Sequence, residues 1–77
     1  MIMSPDKANK HLDTVLNLVG RMVDIAEHGV MDDSADNGFY LLYGLILDNA
    51  RKIRIAAEKE YALRDLKMPD KFLAKTK

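Results

Sequence analysis

The sequence predicts an all-α fold, an antiparallel helical hairpin that dimerises into a four-helix bundle. Three observations predict it: an apolar pattern of helical period near the N-terminus, an acidic turn-rich segment after it, and a second long stretch that becomes amphipathic towards the C-terminus. The expected helices cover about residues 5–28 and 35–67, and a short tail covers residues 68–77. With 77 residues, the chain has the size of a single domain.

The first helix is expected to begin at Pro5. Ser4 can cap it, Pro5 suits the first helical position, and Asp6 complements the positive end of the helix dipole. Gly29 is expected to follow the C-cap, with His28 in the last turn.

The apolar residues of the first helix fill four heptad positions, a, d, e and g, rather than the a and d positions of a two-stranded coiled coil. So wide a stripe is typical of a helix that contacts two neighbours, as in a four-helix bundle. These positions hold Ala8, Leu12, Val15, Leu16, Leu18, Val19, Met22, Val23, Ile25, Ala26 and Val30.

An acidic segment between the two helices predicts the turn. Asp33 or Ser34 is expected to cap the second helix. That helix should continue to about Leu66 or Lys67, because Pro69 then prevents it from continuing. For the tail, two alternatives remain open: one further helical turn that holds Phe72 and Leu73, or a loose terminus.

The run Phe39–Leu47 (FYLLYGLIL) is apolar on every side of the second helix. It is far shorter than the roughly 20 residues that span a bilayer, and a lone strand would have no partner to pair with. We therefore expect this run to be enclosed, with one side against the first helix and the other against a second chain. Gly44, in its middle, would allow a neighbouring helix to approach closely.

A lone hairpin would expose a patch of large apolar side chains of a kind that monomers avoid: Leu18, Ile25, Tyr40, Leu41 and Leu47. The expected dimer or partner interface consists of Leu18, Ile25, Phe39, Tyr40, Leu41, Tyr43, Gly44 and Leu47. For Asn49, two positions remain open: a buried one in the helical seam, where it would fix register, or a solvated one at the edge of the seam.

Composition favours a small non-enzymatic interaction protein without a cofactor. The absence of cysteine excludes disulfides and thiol chemistry, and both Ser4 and Ser34 are explained by capping. His11 and His28 are too far apart along one helix to share a metal ion.

A content of 48% hydrophobic and 31% charged residues argues against disorder and against a membrane-embedded chain. Because residues 1–3 lack the apolar region of a signal peptide, we expect a cytoplasmic protein with no membrane partner.

The acidic turn has one feature of a calcium loop. Asp32, Ser34 and Asp36 are spaced like alternate ligands of an EF-hand. However, Asn37 stands where that loop requires glycine, and Tyr43 stands where it requires a bidentate glutamate. We therefore interpret the segment as an acidic, well-capped turn.

Charge is divided unequally between the two halves of the chain. Residues 1–48 carry eight acids and three bases, a net charge of −5, whereas residues 49–77 carry nine bases and four acids, a net charge of +5. We interpret this division as attraction between the two arms of one hairpin, or between the two chains of a dimer.

The basic half supports an alternative function, nucleic-acid binding, with candidate contacts at Arg51, Lys52, Arg54, Lys59 and Arg64. The expected architecture is similar to that of Rop, a small plasmid-copy-number regulator whose helical-hairpin dimer binds RNA, although no residue motif is shared. The bases are spread around the helix with acids between them, so the favoured function remains a protein-interaction module. Such a module would act as a regulator or inhibitor, of the kind common among phage-borne and accessory bacterial proteins, on a protein partner that the sequence does not identify.

Overall fold

The computed structural model describes residues 4–72, which form two long helices and one short turn. Helix α1 spans Pro5–Val30, helix α2 spans Asn37–Leu63, and a 3₁₀ turn spans Asp70–Phe72. The two helices pack against each other as an antiparallel hairpin, and no strand occurs among the described residues. The predicted all-α hairpin is confirmed.

The predicted start of α1 is confirmed. The side chain of Ser4 accepts a hydrogen bond from the backbone N–H of Lys7, at 3.3 Å, and Pro5 occupies the first turn together with Asp6. Each of these groups stabilises the N-terminal turn, where backbone N–H groups have no helical partner.

The predicted end of α1 near residue 28 is wrong, because the helix continues through Gly29 to Val30. No glycine of the described residues has a positive φ, so Gly29 does not form the left-handed cap that the sequence suggested. Gly29 is buried instead, and the ring of Tyr43 lies directly against its Cα. The glycine therefore provides space for an aromatic ring of α2.

The cap of α2 is Asp36, and the predicted caps Asp33 and Ser34 lie too early in the turn. The carboxylate of Asp36 accepts a hydrogen bond from the backbone N–H of Phe39, at 3.2 Å. This is the bond from the cap to the third helical residue that N-caps normally form.

The predicted end of α2 at residues 66–67 is also wrong, because the helix ends at Leu63, well before Pro69. Asp65 has a φ of 54°, in the left-handed region. Its N–H donates to the carbonyl of Ala62, at 3.2 Å, and the N–H of Leu66 donates to the carbonyl of Tyr61, at 2.8 Å. These two bonds form a Schellman motif, which ends the helix without help from proline.

Buried apolar residues line the contact between the helices, and half of them are alanine: Ala8, Leu12, Leu16, Val19, Ala26, Ala50, Ala57 and Tyr61. The main cluster lies near the chain termini, where Leu12 and Leu16 meet Ala57 and Tyr61. Val15, Leu66, Met68 and Phe72 pack around it. No large side chain is fully buried. The hairpin therefore has a thin core, as a single helix layer must.

The tail crosses the hairpin after α2 and forms the 3₁₀ turn that holds Phe72 against the core cluster. The guanidinium of Arg54 donates to the backbone carbonyl of Phe72, and the ammonium of Lys71 lies 3.5 Å from the carboxylate of Asp13. Leu73, the other residue that the sequence predicted to pack here, lies outside the described residues.

Candidate interaction surface

Large apolar side chains are exposed mainly in the half of the hairpin that contains the turn. Of the large apolar residues that the described part of the chain exposes, all but Ile55 and Leu63 lie between Leu18 and Leu45. Leu41 is 73% exposed and Leu45 is 58% exposed. Single exposed apolar residues are normal on a protein surface, but a contiguous group of them indicates an interaction site.

The hairpin has two broad faces, and grooves between the helices show which residues share each one. One groove is lined by Ala8, His11, Leu12, Val15, Glu60 and Arg64, and the other by Val19, Val23, Glu27, Leu47, Ala50, Arg51 and Arg54. Residues three, four or seven positions apart lie on the same side of a helix. Each remaining residue is therefore assigned to the face of the groove residue from which it is separated by one of these spacings.

Near the chain termini, the face that contains Val15 carries His11, Glu60 and Arg64. Its part nearer the turn is mainly apolar, and we call this part the open face. Its members are Val15, Leu18, Met22 and Ile25 of α1, and Leu42, Leu45, Ile46, Asn49, Ile53 and Ala56 of α2. Leu18, Ile25, Leu42 and Leu45 are each more than half exposed. Asn49 is the only polar residue among these members, and Arg21 lies beside Leu18 and Ile25 at the edge.

The opposite face carries the C-terminal tail, and we call it the tail face. It includes Asp13, Leu47, Arg51 and Arg54. The contacts of Lys71 with Asp13 and of Phe72 with Arg54 hold the tail across the part of this face near the chain termini. The tail face is therefore more charged than the open face and is partly covered by the chain itself.

The structure places the residues of the predicted interface on different surfaces. Leu18 and Ile25 lie on the open face, whereas Tyr40, Gly44 and Leu47 turn towards the tail face. Leu41 lies on the outer side of α2, away from α1. The expectation that a lone hairpin exposes large apolar residues holds for Leu18, Ile25, Tyr40 and Leu41, but Leu47 is half-buried.

The other members of that predicted set lie near the turn. Phe39 is 52% exposed at the start of α2, and Tyr43 is half-buried against Gly29. A Cβ built on Gly44 meets nothing within 4 Å, so its surface is open to a neighbour. Leu42 and Leu45, which the sequence-based set omitted, are exposed on the open face. Their spacing from Asn49, seven and four residues, is the signal that places them there.

In the single chain, Asn49 is solvated rather than buried in the helical seam, which is the second of its two predicted positions. It is exposed, and its side-chain N–H donates to the backbone carbonyl of Leu45, at 2.9 Å. Because Asn49 also lies in the middle of the open face, a partner that covers this face would bury it.

The basic residues proposed for nucleic-acid contact are largely engaged with acids of the same helix. Lys52 lies 3.2 Å from Asp48, and Arg64 lies 3.0 Å from Glu60. Arg54 pairs with Glu58 in the same way and also holds the tail. Arg51 and Lys59 are exposed. Neutralised in this way and spread around the helix, these bases form no concentrated phosphate-binding face.

The acidic turn is organised by hydrogen bonds within the chain. The carboxylate of Asp32 accepts from both the hydroxyl of Ser34, at 2.7 Å, and its backbone N–H, at 2.9 Å. The hydroxyl and then the N–H lower the pKa of Asp32 below its usual value. Nowhere between Ser4 and Phe72 do three or more His, Cys, Asp or Glu side chains gather in the way that a metal site requires.

Tyr61 is a core residue that sequence reasoning missed, because it did not fit the apolar stripe of α2. It is only 3% exposed, and its hydroxyl has no hydrogen-bond partner among the described residues. Burial raises the pKa of the Tyr61 phenol, and the nearby charge of Asp13 raises it further. Its position four residues after Ala57 and eleven after Ala50 is the signal that identifies its face.

Comparisons of the chain with protein families, with curated proteins and with solved structures find no match. No helix within residues 4–72 is both long and apolar enough to cross a lipid bilayer. The functional argument therefore rests on the surface of the hairpin itself.

Proposed function

We propose that the protein is a non-enzymatic interaction module that works as a homodimeric four-helix bundle, assembled through the open face. The observation that carries this proposal is a mainly apolar surface, formed by both helices, on which Leu18, Ile25, Leu42 and Leu45 are each more than half exposed. A second hairpin offers a surface of the same shape and chemistry, and its addition turns one helix layer into a bundle with an interior.

The composition of the core also supports the proposal. Four of the eight buried apolar residues are alanine, which contributes little apolar area. A small domain with so thin a core usually requires a disulfide, a metal or self-association. The sequence has no cysteine, so a disulfide cannot stabilise the fold, whereas self-association through the open face would.

Sedimentation equilibrium at micromolar concentration tests the dimer. The expected mass is twice the 8.7 kDa of one chain. A monomeric wild-type protein would refute the proposed assembly.

A matched pair of variants tests which face is used. Leu45→Asp alters the open face, and Leu41→Asp makes the same change at an exposed leucine on the outer side of the same helix. Completing the burial of a half-exposed leucine contributes about 1 kcal/mol per chain, or about 2 kcal/mol per dimer. Leu45→Asp should therefore weaken dimerisation at least about 30-fold, and Leu41→Asp should leave it unchanged. If Leu41→Asp dissociates the dimer and Leu45→Asp does not, the open face is not the interface.

A further inference from the structure

The apolar residues that α1 contributes to the open face are arranged symmetrically about one level of the hairpin. Leu18 lies four residues before Met22, and Ile25 lies three residues after it. Both are about equally exposed, at 51% and 58%. When a second copy of α1 is turned end for end about this level, its Leu18 therefore comes opposite Ile25 and its Ile25 comes opposite Leu18.

The residues of α2 are symmetric in the same way about Asn49. Leu42 precedes Asn49 by seven residues, and Ala56 follows it by seven. Ile46 and Ile53 lie three residues before and four residues after it. The single polar side chain of the open face thus lies at the centre of the apolar residues around it.

The two centres lie at the same level of the hairpin. Val23 and Ala50 line one groove between the helices, and they directly follow Met22 and Asn49 in sequence. In a two-fold interface both chains contribute the same surface, so that surface must be complementary to itself about the axis. The open face meets this requirement at the level of Met22 and Asn49. With a two-fold axis across the hairpin at this level, Leu18 of one copy faces Ile25 of the other.

Charge distinguishes this arrangement from the parallel one. The half of the hairpin that contains the turn, residues 22–48, has six acids and no base, a net charge of −6. The described remainder, residues 4–21 and 49–72, has ten bases and six acids, a net charge of +4. An antiparallel dimer brings each acidic half against a basic half, whereas a parallel dimer brings the two acidic halves together. Opposite charges attract and like charges repel over about 8 Å at physiological salt.

We infer that the occupant of the open face is a second copy of this chain in antiparallel orientation, related by a two-fold axis that passes between the Asn49 side chains of the two copies. This inference rests on the proposed homodimer and specifies its geometry. In the single chain, Asn49 donates one N–H to the carbonyl of Leu45. Its second N–H and its side-chain oxygen remain for the same amide of the other copy. A buried amide pair at the axis fixes the register of the helices.

Dipolar spectroscopy on a single spin label tests the orientation, since the chain has no native cysteine. Leu63→Cys places the label at the end of α2, where the side chain is 80% exposed. Position 63 lies fourteen residues from the proposed axis, so the antiparallel dimer separates the two labels by about 40 Å. A parallel bundle brings them within about 20 Å, given helix spacings of 8–10 Å.

Sedimentation of the same labelled protein shows whether a failed prediction concerns the antiparallel geometry or the dimer itself. A labelled dimer with the short distance overturns the antiparallel geometry and leaves the proposed dimer intact. A monomer without dipolar coupling, together with a monomeric wild type, overturns the proposed dimer itself.

A cysteine pair tests the position of the axis. Asn49→Cys should form an interchain disulfide on mild oxidation, because the axis brings the two residues within the roughly 4.4–6.8 Å between Cα atoms that a disulfide spans. Gly20→Cys is the control, because this exposed position turns towards the tail face and a Cβ there meets nothing within 4 Å. Failure of Asn49→Cys to cross-link a dimer with widely separated labels would place the axis elsewhere.

Discussion

The contact between Gly29 and Tyr43 predicts that adding one methyl group destabilises the hairpin. A Cβ on Gly29 would lie closer than 3.0 Å to carbon atoms of the Tyr43 ring, an approach that real Cβ atoms essentially never show. The ring must retreat by at least about 1 Å to restore an ordinary carbon–carbon separation of about 3.5–4.0 Å. Overpacking of this kind costs about 1–3 kcal/mol.

Gly20→Ala is the matched control for Gly29→Ala. Both glycines lie inside α1, so both substitutions gain the same helix propensity, up to about 1 kcal/mol. A Cβ on Gly20 meets nothing within 4 Å. The difference in free energy of unfolding between the two variants therefore isolates the cost of the clash, about 1–3 kcal/mol in favour of Gly20→Ala.

Urea denaturation followed by circular dichroism measures this difference, with all proteins at one concentration because the proposed dimerisation would contribute to stability. Tyr43→Leu in the background of Gly29→Ala should recover part of the loss, because the smaller side chain removes the clash. If Gly29→Ala is as stable as Gly20→Ala, α2 does not lie against Gly29, and the register of the hairpin described above is incorrect.

Three further substitutions test the ends of α2 and its buried tyrosine. Asp65→Gly should stabilise the fold by up to about 1 kcal/mol in urea denaturation, because glycine adopts the left-handed conformation without a steric penalty; a loss of stability would contradict the Schellman motif. Asp36→Ala should cost about 1 kcal/mol, through loss of the hydrogen bond to the N-terminal turn of α2, whereas Asp33→Ala, which removes no cap, should cost much less. Tyr61→Phe should be neutral or slightly stabilising, because it removes a buried hydroxyl without a partner among the described residues. The pKa of Tyr61 is raised above 10.0 in the folded state, so the folded protein holds this proton more tightly than the unfolded chain does. The free energy of unfolding should therefore fall as the pH rises above 10.0. If it falls equally steeply in Tyr61→Phe, Tyr61 is not the cause.

The sequence predicted the parts of the fold that depend on helical period. The wide apolar stripe of α1 indicated two contact surfaces, and the structure uses one of them: Leu12, Leu16 and Val19 are buried against α2. Leu18 and Ile25, at heptad position g, remain exposed. The period of a single helix therefore identified the apolar residues of α1, but it did not show which of them α2 covers.

The features that the sequence did not predict depend on contacts between the two helices. Gly29 has the position of a helix-ending glycine, and only the proximity of Tyr43 explains why it lies inside α1. Asp65 ends α2 because Leu66 packs into the core and completes the Schellman motif, a contact invisible in local propensity. The proposed interface changed for the same reason. Only the alignment of the helices shows that Leu47 and Leu18 lie on opposite faces.

The small residues between the helices explain why the most apolar segment of the chain lies at the surface. In the half of the hairpin that contains the turn, Ala26 and Gly29, with Ala50 at its edge, allow a close helix contact that leaves no room between the helices for most side chains of the run 39–47. The larger side chains near the termini, among them Leu12 and Tyr61, instead form a cluster. A single hairpin is therefore best packed near its termini and least enclosed near its turn. The antiparallel partner that we propose would correct this imbalance at both ends, because it would lay the well-packed half of each chain over the exposed half of the other.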